Sequence, residues 1–346
     1  MLNCKINNLI NSKTKLLGVI GHPIAHSLSP IMHNSVIFQN KTNNLNKENI
    51  SQDINTIEKL KELKDLEKNT IDNLNYIYLA FDIEPENLEN IVISAKTLNI
   101  KGLNITVPYK IDIMQYLDEI DEDAKKIGAV NTILFENGIS KGYNTDGLGF
   151  RKAIEELMEI KDNKTNNNKT NKSTKNNKIL VLGAGGASRS ICYEMSKDNA
   201  ITIANRTFEK AETLEKYLKS IGHKNVNSIK LEEFEDMTKL MDYNIIINTT
   251  SLGMYPNIDN TFIDLSKLPE NALNGKFVVD IIYNPFETKF LKQASEKGAT
   301  IQNGLSMLIH QGAISFEIWT NEKPNIDIMK KSIVNELENK NKNEID

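Results

Sequence analysis

"KILVLGAGGASRS", Lys178 to Ser190, is the stretch on which the fold turns. Ile179 to Leu182 form an apolar run of strand length with no polar break, which suits a strand buried on both faces. The run passes directly into glycine. Gly183, Gly185 and Ser188 keep the G-x-G-x-x-small spacing that lets a chain turn tightly from a strand into a helix. At such a turn, backbone N–H groups and the helix dipole favour an anion. Gly183, Ala184, Gly185, Gly186, Ala187 and Ser188 are therefore candidates to hold the pyrophosphate of a dinucleotide.

The same rhythm continues toward the C-terminus in "AITIANRT" (Ala200 to Thr207), "YNIIINTT" (Tyr243 to Thr250) and "KFVVDIIY" (Lys276 to Tyr283). These read as further parallel strands. The first of them ends some twenty residues past the glycines, where a dinucleotide fold places the residue facing the adenosine ribose. Asn205, Arg206 and Thr207 stand there. A carboxylate would suit the 2′-hydroxyl of NAD, whereas a cation suits a 2′-phosphate, so the residues point to NADP over an ordinary surface arginine.

Toward the N-terminus, "KLLGVIG" (Lys15 to Gly21), "SPIMHNSVIFQN" (Ser29 to Asn40), "YIYLAFDI" (Tyr76 to Ile83) and "ENLENIVISAKTLN" (Glu86 to Asn99) alternate strand and helix patterns. This predicts a second layered α/β domain. A helix over Gly304 to Trp319 carries Leu305, Leu308, Ile309, Gly312 and Phe316 on one stripe, and "NIDIMKKSIVNELENK" (Asn325 to Lys340) follows as another amphipathic helix. Two polar stretches read as insertions. Lys161 to Lys178 contains no apolar residue and cannot pack. Asn40 to Thr70 holds one short helix pattern in Ile57, Leu60, Leu63 and Leu66.

Composition bounds the function. A chain of 346 residues suits two domains. A net charge of −4 without a basic block leaves no electrostatic footprint for nucleic acid, so a small-molecule partner is expected. Two cysteines far apart, Cys4 and Cys192, make neither a disulfide framework nor a metal cluster and fit a reducing compartment. No apolar run approaches the ~18 residues needed to cross a bilayer, and the first residues lack the apolar core of a signal peptide, so a cytoplasmic location is expected. His22, His26 and His33 invite a metal reading, but Pro23 and Pro30 interrupt the helix that would align them and no acidic partner is near in sequence, so no metal is expected.

Polar residues cluster in four further segments: Ser27 and Ser29 in "HSLSP", Asn104, Thr106 and Lys110 in "LNITVPYK", Asn131 in "GAVNT", and Asp146 in "GYNTDG". The serines also suit helix capping, because serine before proline is a common helix start. Lys110 follows Pro108 at the end of an apolar run, a strand-to-helix junction of the kind that carries catalytic groups. With Asp146 it could form a lysine–carboxylate pair, in which the ammonium has a proton to give and the carboxylate orients it. A solvated first-turn lysine is the plainer alternative.

Taken in order, "HSLSPIMHN", "LNITVPYK", "GAVNTI", "GYNTDG", "GAGGAS", "NRT", "NTTSLGM", "DIIYNP" and "NGLSMLIHQGAISFEIW" resemble the shikimate dehydrogenases, NADP-dependent reductases of 3-dehydroshikimate. The resemblance runs from about Lys15 to Trp319. It implies an N-terminal α/β substrate domain over residues 1–145, completed by C-terminal helices of residues 305–346 that return to it, and a Rossmann-like NADP-binding domain over residues 146–304. In the family the cleft between the domains is where hydride and proton donors meet. The resemblance assigns Lys110 as general acid/base, with Asp146 hydrogen-bonded beside it to orient both the lysine and a substrate hydroxyl, and Ser27 and Ser29 to the substrate carboxylate with Tyr283 nearby. Asn104, Thr106, Asn131 and Gln311 would engage the ring and its hydroxyls.

For the cofactor, NADP(H), the resemblance assigns Arg206 and Thr207 to the 2′-phosphate, with Asn205 close by and Lys210 where the family often has arginine. Thr249 and Met254 of "NTTSLGM", with Ile281, Gly304 and Met307, would line the nicotinamide side. Ser306 stands where the family usually has glycine, which would narrow that side slightly. Shikimate and 3-dehydroshikimate are the implied ligands, and a homodimer is compatible with the resemblance. Two other readings share the fold: a quinate/shikimate dehydrogenase of wider substrate use, and a non-catalytic ligand sensor.

Overall fold

The computed structural model describes residues 10–50, 75–164 and 174–343. The helix pattern of Ile57 to Leu66 and the centre of the second polar stretch lie outside them. In chain order the elements are β1 (Lys15–Gly21), α1 (Ser29–Ile50), β2 (Tyr76–Asp82), α2 (Leu88–Thr97), β3 (Gly102–Ile105), β4 (Glu119–Ile120), α3 (Glu122–Ile127), β5 (Thr132–Glu136), β6 (Ile139–Tyr143) and α4 (Asp146–Lys164). They continue with β7 (Lys178–Leu182), α5 (Gly186–Met195), β8 (Ala200–Ala204), α6 (Phe208–Ser220), β9 (Val226–Ile229), β10 (Ile245–Asn248), β11 (Phe277–Asp280), α7 (Lys289–Glu296), β12 (Thr300–Gln302), α8 (Leu305–Thr320) and α9 (Ile326–Asn343). The backbone of α1 runs eleven residues into the first polar stretch, and α4 four residues into the second. No helix among the described residues is long and apolar enough to cross a membrane.

The chain divides into two compact units. The first comprises Met1–Ile120, Val130–Tyr143 and Gly312–Asp346, and the second Asp121–Ala129 and Asn144–Gln311. Helix α8 thus begins in the second and ends in the first.

In the second unit six strands stand in the order β12-β11-β10-β7-β8-β9, every pair parallel. Counted from β7, this is the doubly wound Rossmann order, with its switch point between β7 and β10. The apolar runs explain themselves here. Ile179 and Val181 of β7 join Phe150, Ile154, Ile191 and Ile245 in one core cluster, while Leu180 and Leu182 join Ile246, Val278 and Phe290 in another. Successive side chains serve opposite faces, so a strand covered by helices on both sides has no polar position.

In the first unit the strand order is β2-β1-β3-β5-β6-β4. β1 pairs in parallel with β2 and β3, whereas β3–β5 and β5–β6 are antiparallel. An aromatic group closes this unit: His33 of α1 stacks on Tyr78 of β2 with centroids 4.3 Å apart, and Trp319 of α8 packs 5.6 Å from the same imidazole. Trp319 donates its indole N–H to the Ile133 carbonyl at 2.9 Å. Its ring fills the space over Gly102, where an added Cβ would stand 2.1 Å from the indole nitrogen.

Candidate active site

In the first unit the polar candidates collect beyond the C-terminal ends of β1 and β3. The loops that follow these strands are bonded to each other: His22 donates its N–H to Val107 O at 3.2 Å, and Thr106 donates to Ile20 O at 3.0 Å. Gly21 permits the approach, because a Cβ there would lie 2.5 Å from the Thr106 methyl. Ser27 is half-buried and Ser29 buried, the latter opening α1. The Ser27 hydroxyl accepts the Ser29 N–H at 3.3 Å, so it also shapes the helix start.

Asn104, buried at the centre, is held on all sides. Its amide nitrogen lies 3.1 Å from Asn131 O, Thr132 Oγ1 and Ser315 Oγ, and its oxygen accepts the Tyr78 hydroxyl at 2.7 Å. Such an amide has two N–H donors, and this one has acceptors for both. The Thr132 hydroxyl donates to Asn131 Oδ1 at 3.0 Å, and Ile105 N–H donates to Asn131 O at 2.8 Å. Lys110, half-buried, lies in the turn between β3 and a short 3-10 segment (Asp112–Tyr116), and its carbonyl accepts the Val130 N–H at 2.7 Å. The first unit therefore brings Asn104, Thr106, Lys110 and Asn131 to one sheet end. Tyr78, Thr132 and Ser315 were not anticipated from the sequence, since nothing local marks a hydroxyl that will meet a distant amide.

The second unit holds the rest. Asp146 is buried and is the first residue of α4. Its N–H donates to Asn144 Oδ1 at 3.1 Å, while Asn144 Nδ2 donates to Ala129 O at 3.0 Å. Asn144 thus fixes the carboxylate-bearing turn from behind; asparagine two residues before a helix residue is a cap signal that could have revealed it. Gln311 lies over this helix, because a Cβ on Gly149 would be 2.7 Å from Gln311 N and Cβ. The Gln311 amide donates to Leu308 O at 2.9 Å. Tyr283 is half-buried, and burial raises its hydroxyl pKa.

The glycine turn fits a phosphate. Gly183 has φ +115°, a left-handed backbone for which glycine is favoured, and a Cβ there would stand 2.6 Å from Thr249 Oγ1. Gly185 and Gly186 are exposed with nothing within 4 Å of an added Cβ, and Gly185 caps α5 without any side-chain hydrogen bond. An exposed helix start with open space above its backbone suits an anion. Ala187 and Ser188 complete the turn, and the buried Ser188 hydroxyl donates to Gly183 O at 2.8 Å. Past β8, Asn205 donates its side-chain amide to Thr207 O at 2.8 Å, and Arg206, Thr207 and Lys210 are exposed around the start of α6, with Glu209 between them in the first helical turn.

On the other side of the switch point, Thr249 Oγ1 donates to Leu182 O at 2.8 Å, and Ala184, Ile281 and Met307 pack on one core cluster. Met254 is exposed. Gly304 is enclosed, since an added Cβ would stand 1.9 Å from Ile281 O. Ser306 is buried, and its hydroxyl donates to Glu156 Oε2 at 2.5 Å.

The histidines separate. Parallel pairing of Gly21 with Asp82 brings two acids to His22 that sequence distance concealed: Asp82 at 2.7 Å and Glu84 at 3.6 Å. The Asp82 hydrogen bond raises the His22 pKa. Among the described residues no group of three or more His, Cys, Asp or Glu could hold a metal ion.

A parallel sheet in Rossmann order with a glycine turn at its switch point, joined to a second α/β unit rich in convergent polar groups, defines a dinucleotide-binding α/β protein with a small-molecule site. Family models narrow this: "Shikimate dehydrogenase substrate binding domain" matches residues 66–133, "Shikimate / quinate 5-dehydrogenase" residues 165–285, and "Shikimate 5'-dehydrogenase C-terminal domain" residues 304–333. The chain is 48% identical over 331 residues to the shikimate dehydrogenase (NADP(+)) of Methanococcus aeolicus, covering 95% of this chain and 100% of that one. It also resembles a crystal structure of shikimate dehydrogenase in complex with NADP+ (43% identity, TM-score 0.75, 95% and 97% of the two chains). A third match is the Listeria monocytogenes shikimate 5-dehydrogenase in complex with shikimate and NAD (30% identity, TM-score 0.73, 94% and 98%). This chain belongs to the shikimate dehydrogenase family.

Proposed function

We propose that this protein is an NADP-dependent shikimate dehydrogenase that reversibly reduces 3-dehydroshikimate to shikimate in the cytoplasm, a step toward aromatic amino acids. The observation that carries the reading is the polar group at the ends of β1 and β3, where Lys110 is tied through Val130 to Asn131 and Asn104. NADPH, when bound, supplies the hydride.

The chain's own residues do the rest. Ser27 and Ser29 bind the ring carboxylate with Tyr283, and Thr106, Asn131 and Gln311 hold the ring hydroxyls. Asn104, whose amide is engaged by the protein, serves the same site by fixing Asn131. Dense polar contact gives selectivity, because an analogue lacking one hydroxyl would leave a buried group unpaired. Lys110 gives a proton to the ketone oxygen on reduction and takes it back on oxidation, while Asp146 orients a substrate hydroxyl. Gly183 to Ser188 seat the pyrophosphate, and Arg206 with Thr207, Asn205 and Lys210 seat the 2′-phosphate.

Relatives of high identity bear the shikimate dehydrogenase (NADP(+)) name, which supports this reading over quinate oxidation or ligand sensing. The test is NADPH absorbance loss on adding 3-dehydroshikimate, with NADH in parallel and Lys110→Ala as the paired variant. The variant should retain shikimate binding and lose about 10²- to 10⁴-fold in kcat, the usual share of a general acid/base. A wild type that binds shikimate but consumes neither cofactor would sink the proposal. Sedimentation equilibrium distinguishes a monomer from the homodimer.

A further inference from the structure

The apolar run "KFVVDIIY" contains one carboxylate, Asp280, and it is fully buried. It ends β11 directly opposite Asn248, the last residue of β10. Its Oδ1 accepts the Asn248 side-chain N–H at 3.1 Å and the Ile282 N–H at 3.0 Å, and its Oδ2 accepts the Thr288 hydroxyl at 2.7 Å. These donors come from three separate segments: the end of β10, the stretch leading to Tyr283, and the start of α7. No cation is among them.

The link extends outward. Asn248 Oδ1 accepts both the N–H and the hydroxyl of Thr250, at 3.0 and 2.7 Å, and Thr250 Oγ1 in turn accepts the Leu252 N–H at 3.1 Å. The loop then passes through Gly253 in a left-handed conformation, φ +97°. The Asn248 amide nitrogen reaches both ways, to Asp280 Oδ1 at 3.1 Å and to Leu252 O at 3.4 Å, so the loop is tied back to Asp280 through Asn248. Burying a carboxylate costs several kcal/mol, about what an apolar residue such as the neighbouring Val278 and Val279 would avoid. Burial pushes this carboxyl up to about 6, which records that cost. A site that needed packing alone would have no use for it.

We propose that Asp280 is a positioning residue that locks the Thr249–Met254 loop and the Ile281–Tyr283 segment in one arrangement, setting the nicotinamide-side wall and the substrate-facing tyrosine together. The inference rests on the proposed function for the roles of those two segments.

Three variants test it: Asp280→Val, which removes every acceptor, Asp280→Asn, which keeps Oδ1, and Thr250→Val, which cuts only the outer link at a half-buried position. Each is measured for kcat, for KM toward NADPH and 3-dehydroshikimate, for NADPH binding by its fluorescence without substrate, and for Tm. Misplacing reacting groups by about 1 Å costs on the order of 100-fold, so Asp280→Val should lose about that much kcat, and Asp280→Asn should recover to within about tenfold. Thr250→Val should weaken NADPH binding roughly 3- to 10-fold at nearly unchanged Tm, a change a purely structural role would not produce. If Asp280→Val does not fold, the other two decide. Folded Asp280→Asn and Thr250→Val proteins with wild-type kcat, KM and NADPH affinity overturn the inference. A wild type without turnover overturns the functional reading instead, and the NADPH affinities of the variants then still judge the role of Asp280.

Discussion

Replacing His33 with leucine should flatten the acid sensitivity of the first unit. His33 has no solvent exposure, and neither ring nitrogen has a hydrogen-bond partner; it is enclosed by Tyr78, Phe316 and Trp319. Desolvation lowers its pKa from 6.5 to about 3. A base with a depressed folded-state pKa takes up its proton more readily when unfolded. Its stabilising contribution is therefore complete above pH 6.5 and is lost as pH falls from there toward 3. At about 1.4 kcal/mol per pKa unit, the loss is roughly 2 kcal/mol near pH 5 and approaches about 5 kcal/mol near pH 3.

The assay is urea unfolding at about pH 8 and about pH 5, followed by the fluorescence of Trp319, the only tryptophan and a neighbour of His33 in the same unit. Leucine is close to histidine in volume but cannot titrate. The variant loses the 4.3 Å stack on Tyr78, worth about 1 kcal/mol, but also removes two buried unpaired ring nitrogens that cost about 1 to 3 kcal/mol, so at pH 8 it should be at least as stable as the wild type. Between the two pH values, however, it should lose about 2 kcal/mol less than the wild type. Parallel curves, with wild type and variant equally sensitive to acid, would refute the reasoning, because they would mean that His33 titrates alike in both states.

Further expectations follow from the second unit. Arg206→Ala should raise KM for NADPH about 10- to 100-fold while leaving KM for NADH nearly unchanged, as expected for one charge-assisted phosphate contact; steady-state kinetics with both cofactors checks it. Gly304→Ala would put a Cβ 1.9 Å from Ile281 O, so backbone must move; a loss above about 3 kcal/mol in urea unfolding and failure of NADPH binding are expected. Asn144→Ala removes the bonds to Asp146 N and Ala129 O, and should cost about 1 kcal/mol in stability and lower kcat about tenfold, with Asn144→Ser, which can still cap, recovering most of both.

The parallel strands and the glycine turn were legible because the physics that forms them is local. An unbroken apolar run needs two covered faces, and β7 has them; glycine spacing declares a backbone that approaches something closely, and Gly183 does so at φ +115°. What sequence could not supply was long-range pairing. His22 seemed to lack an acid until β1 and β2 paired, and Asn104 read as a group reserved for a ligand until α8 delivered Ser315 to it from 211 residues away.

Asp280 lies between these cases. It stood in plain view within a quoted strand, and a charge in such a run is already a signal, since a buried carboxylate must be satisfied by donors from somewhere. The sequence could not say which donors. Once the strands pair, they prove to be Asn248, Ile282 and Thr288. Lys110 and Arg206 were singled out by their chemistry, whereas Asp280 is found by asking what a costly buried polar group is for. In this fold that question leads to the ends of β10 and β11, where Asp280 gathers two side-chain donors and one backbone N–H from three segments.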